Sequence, residues 1–275
     1  MFPVLFSIGS ITIYSFGFFL TLSYLAATFI LWREGKRQGY NEEKLLDLSV
    51  ISLVAALVGG RAYYLLINWG LFADEPARAF AFWEGGFVYH GALIAVFAVT
   101  VYFVRIWKWS FFQIADIAAL SGAAALVLGK VGTFFAGLDY GRETSLPWAV
   151  SFPDIVGERH PVQLYEAAAY LVIFAISYIL YFRNLASPNM KSGKIFFIFI
   201  ILSSLARAWF EPLRAESTLV FSLPLAILVS VAIASLAIVA LYYFQIRDFR
   251  SDVRGFMRGI FGLNSKILRR LRLLK

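Results

Sequence analysis

Cysteine is absent from this chain of 275 residues, and histidine occurs only at His90 and His160. Without cysteine there can be no disulfide, no thiolate nucleophile of the chain's own and no cysteine-ligated metal. Any imidazole chemistry must use one of the two histidines. Neither has carboxylate and thiolate companions at ligand spacing, so we expect no metal and no other cofactor.

Charged residues are also scarce, at 15% of the chain, whereas 60% of the residues are hydrophobic and the mean hydropathy is +0.74. A soluble domain does not tolerate such a composition. Apolar runs of roughly 18 or more residues recur, each long enough to cross about 30 Å of hydrocarbon. We predict an all-α integral membrane protein, a bundle of about seven transmembrane helices. The predicted spans are 11–32, 48–70, 87–106, 112–136, 161–182, 194–213 and 219–245.

The distribution of basic residues predicts the orientation of the bundle. Lysine and arginine are concentrated after the first, third and fifth spans and in the C-terminal tail, and the net charge is +8. By the positive-inside rule these segments are cytoplasmic, so we expect the N-terminus outside and the C-terminus in the cytoplasm. Residues 1–32 carry no charged side chain. The basic region of a cleaved signal peptide is therefore missing, and the first span is expected to be retained.

The remaining segments complete the predicted organisation. Residues 71–86 and 137–160 would be external, and 137–160 is too polar to span, so we predict an irregular external loop or a small cap there. Residues 1–245 are expected to form one transmembrane domain. The basic tail, 246–275, is either an interfacial amphipathic helix or a segment that fixes the inside orientation. Its charge fits attraction to membrane lipids, and we expect no nucleic-acid partner.

Polar side chains inside the predicted spans gather toward one side of the membrane. Because successive spans alternate in direction, a late position in one helix and an early position in the next share a depth, here the outer half of the bilayer. Ionisable groups in spans cost at least about 2.5 kcal/mol each near a helix centre, so this convergence indicates a functional site. Snorkelling of single arginines to the interface is the alternative. The converging residues are Tyr14, Arg61, His90, Lys130, Gln163, Tyr165, Glu166, Arg207, Glu211 and Arg214.

The chemistry of this set is mostly cationic, and Arg142 and Arg159 in the 137–160 segment add to it. Cations at headgroup depth suit a phosphate, which arginine binds through two parallel hydrogen bonds, so an anionic phospholipid is the natural ligand. Glycines in 129–132 could bring main-chain N–H groups to an anion or simply allow close helix packing. His90 could be a general base, because its ordinary pKa of about 6.5 is near working pH, or a structural residue at a helix end.

Several other polar residues have structural explanations that stay open. Tyr14 and Tyr165 could belong to the interfacial aromatic belt. His160 precedes a proline, a position that suits capping of a helix. Asp116 lies near the cytoplasmic side and is expected at a helix end or in solvent.

An ordered set of motifs resembles the prolipoprotein diacylglyceryl transferases of bacterial inner membranes, over roughly residues 11–245. Lys130 and Thr133 stand where the family pattern usually has arginine and asparagine. The Leu138-Asp139 and Glu211-Pro212 pairs are also atypical of the family. The matching motifs are Tyr14 with Gly17, Gly59-Gly60-Arg61, residues 85–91, residues 129–134, Tyr140-Gly141, Pro147-Trp148, residues 159–166, and Arg207 through Glu211 to Arg214.

The resemblance implies transfer of a diacylglyceryl group from phosphatidylglycerol to the lipobox cysteine in a prolipoprotein signal peptide, with glycerol 1-phosphate leaving. This would be the first step of lipoprotein biosynthesis, at the outer leaflet of the cell inner membrane. His90, aided by Tyr14, would deprotonate the thiol, while Arg207 and Lys130 would hold the phosphate. The resemblance further implies that ion pairs orient the site and that other polar side chains bind the lipid. The orienting residues would be Arg61, Glu166, Glu211 and Arg214, and the binding residues Thr133, Arg142 and Gln163.

Three other functions stay open at the level of the sequence. One is a divergent paralogue with an altered lipid donor. Another is a non-catalytic lipid-handling protein, such as a transporter or scramblase, although a transporter usually needs polar access from both sides. The third is a membrane scaffold, which would not require His90 and Glu166 at one depth.

Overall fold

Seven α-helices form the described part of the fold. The computed structural model describes residues 2–9, 11–73, 75–153, 155–187, 191–215, 219–220 and 223–246, so nearly all of the predicted tail lies outside the described residues. Seven helical segments here are long and apolar enough to cross a membrane, which confirms the predicted all-α, multi-pass membrane protein. The helices are α1 Ser15–Arg37, α2 Glu42–Ile67, α3 Tyr89–Ile106, α4 Phe111–Ala136, α5 Val162–Leu185, α6 Lys194–Phe210 and α7 Leu225–Leu241.

The starts of the first two helices differ from the predicted spans. Residues Ile11–Tyr14, predicted as helix, form strand β2, which pairs antiparallel with β1, Val4–Ile8. β-Branched side chains favour this conformation, and Gly9 supplies a φ of 61° at the turn. Helix α2 starts six residues earlier than predicted because the Asn41 carboxamide oxygen caps it, accepting the Lys44 main-chain N–H at 2.9 Å.

The last two helices are shorter than predicted. Helix α6 ends at Phe210 and continues as a 3-10 turn, Glu211–Leu213, because Pro212 has no N–H for the helical ladder. Helix α7 begins only at Leu225 and is followed by a π-helical turn, Tyr242–Ile246. It is preceded by the two-residue strands β5, Leu219–Val220, and β6, Leu223–Pro224.

The 137–160 segment is a small folded cap. Strands β3, Val150–Ser151, and β4, Glu158–Arg159, pair antiparallel within it. A further bridge joins Gly141 to Arg214, beyond the end of α6. Segment 69–84 contains three short 3-10 turns, Trp69–Leu71, Pro76–Phe80 and Phe82–Glu84.

Contacts between helix ends show which ends lie together. The Gln163 amide donates to Leu138 O at 2.5 Å, which brings the start of α5 to the end of α4. The Val88 N–H donates to Gly60 O at 3.0 Å, which brings the start of α3 to the last turns of α2. We call this end of the bundle the site end.

The opposite end is held by Asp116, which is buried in the second turn of α4. Its carboxylate accepts the main-chain N–H groups of Gly193 at 2.7 Å and Phe196 at 2.8 Å. The sequence predicted a helix end or a solvated position for this side chain. It instead caps the N-terminus of a different helix, α6, where a negative charge is stabilising.

Candidate functional site

A buried carboxylate, Glu166, lies at the centre of the charged residues at the site end. Its side chain is 2% exposed, and Lys130 Nζ lies 2.5 Å from Oε2. Nη1 of Arg207 lies 3.5 Å from Oε1, and Nη1 of Arg214 lies 3.4 Å from the same oxygen. Lys130 belongs to α4, Arg207 to α6, and Arg214 follows the 3-10 turn. One carboxylate near the start of α5 therefore joins three cations from two other helices and a connecting turn.

Two more carboxylates contact the same cations. Glu211 Oε2 lies 2.9 Å from Arg207 Nη1, one helical turn away in sequence. Asp139 accepts from two of the cations, with Oδ2 at 3.3 Å from Lys130 Nζ and Oδ1 at 2.8 Å from Arg214 Nη2. We call these six residues the charge cluster: Lys130, Asp139, Glu166, Arg207, Glu211 and Arg214.

Asp139 is the member that sequence reasoning did not place in the site. It lies just beyond the end of α4, with a φ of 58°. Desolvation by burial acts to raise the pKa of its carboxyl group, but the positive charges of Lys130 and Arg214 outweigh this and hold the pKa below its usual value. Asp139 is therefore an anion at neutral pH. The only signal in the sequence was that the Leu138-Asp139 pair is atypical of the family, and this did not indicate the contacts of Asp139.

Hydrogen bonds between the cap and the chain that follows α6 position Arg214. The Arg142 N–H donates to Leu213 O at 2.8 Å, and Arg142 Nε donates to Arg214 O at 3.2 Å. Gly141 fits against His160, because a Cβ at this position would lie 2.6 Å from His160 O. The cap therefore needs glycine here, and the close packing fixes the backbone that carries Arg142.

Gln163 and Thr133 support the cluster from α5 and α4. The Gln163 side chain is fully buried, and its amide contact with Leu138 O anchors the chain next to Asp139. The Thr133 hydroxyl donates to Lys130 O at 2.9 Å, within α4. Both side chains bond to the main chain and so orient the segments that carry the charges.

Arg61 has different partners from those predicted. Its side chain is buried, and it donates to the main-chain oxygens of Arg78 at 2.7 Å, Ala79 at 3.0 Å and Gly85. We had expected ion pairs, but none is found for Arg61 among the described residues. The guanidinium instead satisfies carbonyl groups of the 69–84 turns and Gly85, and so ties this segment to α2.

His90 and Tyr14 make no direct polar contact with the charge cluster among the described residues. The His90 imidazole is exposed in the first turn of α3, and within the described ranges no hydrogen bond or ion pair joins it to the cluster. Tyr14 is 61% exposed at the end of β2. In the same part of the chain, no group of three or more histidine or carboxylate side chains is placed to hold a metal ion. The structure thus gathers the predicted phosphate-binding residues and leaves the predicted base accessible.

Similarity to known proteins agrees with the motifs at this end of the bundle. A family model described as prolipoprotein diacylglyceryl transferase matches residues 3–243. The chain belongs to the prolipoprotein diacylglyceryl transferase family. The resemblance seen in the sequence is therefore confirmed, and every residue of the charge cluster lies within the matched range.

Curated members of the prolipoprotein diacylglyceryl transferase family are similar over most of their length. A protein from Nostoc sp. named phosphatidylglycerol–prolipoprotein diacylglyceryl transferase is 34% identical over 254 residues, 89% of this chain and 90% of the relative. Proteins of the same name from Synechocystis sp. and Geobacter sulfurreducens are 32% and 34% identical, over 255 and 221 residues. These alignments cover 88% and 77% of this chain, and 90% and 82% of the relatives.

Proposed function

We propose that this chain transfers the diacylglyceryl group of phosphatidylglycerol to the cysteine thiol of a prolipoprotein, the first step of lipoprotein maturation. The observation that carries the proposal is the family match over residues 3–243, because it spans all seven helices and the charge cluster. The names of the relatives give the same lipid and protein substrates.

The proposed reaction forms one bond and breaks another at a single glycerol carbon. The thiol sulfur of the prolipoprotein forms the carbon–sulfur bond of a thioether. The bond from that carbon to the phosphate oxygen breaks, its electron pair stays on the oxygen, and glycerol 1-phosphate leaves. The thiol proton passes to a base. The nucleophile belongs to the substrate, which fits a chain without cysteine.

The charge cluster would stabilise the phosphate as negative charge develops on the leaving oxygen. Lys130, Arg207 and Arg214 supply cationic donors, and such preorganised donors at a developing charge are a large source of rate enhancement. Glu166 and Glu211 would hold these cations in place through the ion pairs at 2.5–3.5 Å. Gln163, Thr133 and Arg142 would orient the segments that carry them.

His90 would accept the thiol proton, aided by Tyr14. An exposed imidazole can be reached by a cysteine side chain of another protein, and imidazole is the side chain that most often serves as a general base. Arg61, which ties the 69–84 turns and Gly85 to α2, would support the start of α3 and hence His90. We place this site at the outer leaflet of the bacterial inner membrane, with the basic segments in the cytoplasm.

The decisive experiment is conversion of a lipobox peptide by purified protein in phosphatidylglycerol vesicles, following the thioether-linked product by mass spectrometry. Wild-type protein should form the product, and His90→Gln and Arg207→Ala should each lose at least about 99% of the rate, as expected for removing a base or an anion-stabilising donor. Glu158→Gln, an exposed change in β4, should retain it.

Two results would contradict the proposal. A folded wild-type protein that formed no thioether with both substrates present would favour lipid handling without chemistry, to be tested by movement of fluorescent phosphatidylglycerol between leaflets. Full activity in both variants would remove His90 and Arg207 from the proposed mechanism.

A further inference from the structure

The charges of the cluster balance. Three cations, Lys130, Arg207 and Arg214, face three carboxylates, and every cation lies within ion-pair distance of at least one of them. Arg142, at the edge, hydrogen-bonds to main-chain oxygen and does not alter these pairings. A phosphate that enters this site therefore meets cations that already have partners. It can bind strongly only where a carboxylate leaves its ion pair with a cation.

The three carboxylates differ in how easily they can leave their cationic partners. The side chains of Glu166 and Glu211 are 2% and 3% exposed and belong to α5 and the 3-10 turn after α6. The Asp139 side chain is 40% exposed and belongs to the connecting segment beyond α4. A buried carboxylate cannot leave its partners without a large desolvation cost, whereas an exposed one moves into water. Asp139 is therefore the exchangeable member.

The position of the Asp139 carboxylate resembles that of a bound phosphate. Its two oxygens bridge two separate cations, Oδ1 to Arg214 and Oδ2 to Lys130. Two oxygens of a phosphate can make the same pair of charge-assisted bonds. Lys130 and Arg214 also contact Glu166, so both stay in place when Asp139 leaves. The low pKa of Asp139 keeps it ionised at neutral pH, as an internal competitor must be.

We propose that Asp139 is an internal anion that occupies the phosphate position on Lys130 and Arg214 and exchanges with the phosphate of the lipid. This inference rests on the proposed function, since it assigns Asp139 to the same site. When phosphatidylglycerol binds, its phosphate displaces the carboxylate into water. After transfer, the carboxylate returns and weakens the hold on glycerol 1-phosphate, whose charge is greater than that of the lipid phosphate. Asp139 thereby sets the affinity for the donor and the rate of product release.

The test is calorimetric binding of glycerol 1-phosphate to purified protein in phosphatidylcholine nanodiscs. Asp139→Asn removes the competing charge while keeping a residue that accepts a positive φ. We expect this variant to bind about two- to fivefold more tightly than the wild type, the range that corresponds to the strength of a partly exposed ion pair. Asp139→Gly should behave in the same way. Glu158→Gln, which removes an exposed carboxylate of the cap, should bind as the wild type does.

Transfer kinetics give a second readout of the same exchange. The KM for phosphatidylglycerol should fall in Asp139→Asn, and kcat should fall with it where release of glycerol 1-phosphate limits turnover. Equal or weaker binding in both Asp139 variants would overturn the exchange, because a carboxylate that only positions Lys130 would weaken the site when removed.

The two readouts also separate this inference from the proposed function. Tighter phosphate binding in Asp139→Asn without any thioether product in the wild type would uphold the exchange and reject the transferase. Thioether formation by the wild type without tighter phosphate binding in Asp139→Asn would uphold the transferase and reject the exchange.

Discussion

Lys130 stands in the charge cluster at a position where the family pattern usually has arginine. Its Nζ lies between two carboxylates, 2.5 Å from Glu166 and 3.3 Å from Asp139, and its side chain is 18% exposed. An ammonium group can point its three donors in these separate directions, whereas a guanidinium presents a planar fork. The lysine therefore fits the two-carboxylate arrangement of this chain. Its positive charge, rather than its shape, is what the proposed phosphate needs.

Replacements at Lys130 should separate charge from shape. Lys130→Arg keeps the charge, and we expect its transfer rate to stay within about tenfold of the wild type. Lys130→Met removes the charge, and the rate should fall by at least about a hundredfold, as when a donor to a developing anion is lost. The assay is thioether formation in phosphatidylglycerol vesicles.

The matched control for that pair is Lys194→Met, an exposed change at the first residue of α6 at the opposite end of the bundle, which should leave the rate unchanged. A normal rate in Lys130→Met would show that the phosphate is held without this lysine.

At the scale of helices, α2 and α3 pack through glycine. A Cβ at Gly59 would lie 2.6 Å from Gly91 O, too close for any side chain without movement of the backbone. Gly91 is the third residue of α3 and follows His90 directly. This contact therefore sets the distance between the two helices and the position of the proposed base.

Gly59→Ala should force the two helices apart. We expect the free energy of unfolding to fall by about 1–3 kcal/mol, the usual effect of overpacking. The transfer rate should also fall, because His90 moves together with α3. Thermal unfolding in detergent and the thioether assay measure the two effects. Gly17→Ala in α1 is the matched control, since no atom lies within 4 Å of a Cβ there. Equal unfolding temperatures for both variants would contradict the close packing.

The sequence predicted the helices better than their ends. Each long apolar run became a helix, because hydrocarbon leaves few other ways to satisfy the main chain. Local signals decided the ends. Residues 11–14, predicted as the start of the first span, instead form part of the β1–β2 hairpin. A short apolar stretch with β-branched side chains is compatible with either a strand or a helix, so the pattern did not distinguish them. The Asn41 cap extended α2 into charged residues that the hydropathy pattern had excluded.

The sequence also predicted only part of the candidate site. Glu166, Arg207 and Arg214 could be predicted because charges within apolar spans are costly and converge at one depth. Asp139 could not, because its contacts depend on how the chain leaves α4, and hydropathy does not determine that path. The partners of Arg61 could not be predicted either. They are main-chain carbonyl groups of turns, and the residue types in this segment do not determine how those turns fold.

At the scale of the whole molecule, the orientation in the membrane stays a prediction that single cysteines can test. The chain has no cysteine of its own, so each introduced thiol is unique. A membrane-impermeant maleimide should label Glu158→Cys, in the cap, in intact spheroplasts. It should label Lys194→Cys only after permeabilisation. The opposite pattern would place the charge cluster on the cytoplasmic side and exclude an outer-leaflet reaction.

Polar contacts join α4 and α6 at both of their ends. Asp116 of α4 binds the start of α6 at one end, and at the other end Glu166 contacts both Lys130 of α4 and Arg207 of α6. Asp116 and Lys130 lie about 21 Å apart along α4, at about 1.5 Å per residue. We expect two helices joined in this way to resist separate tilting or sliding in a thicker or thinner bilayer. Hydrophobic mismatch should then be met mainly by deformation of the surrounding lipid.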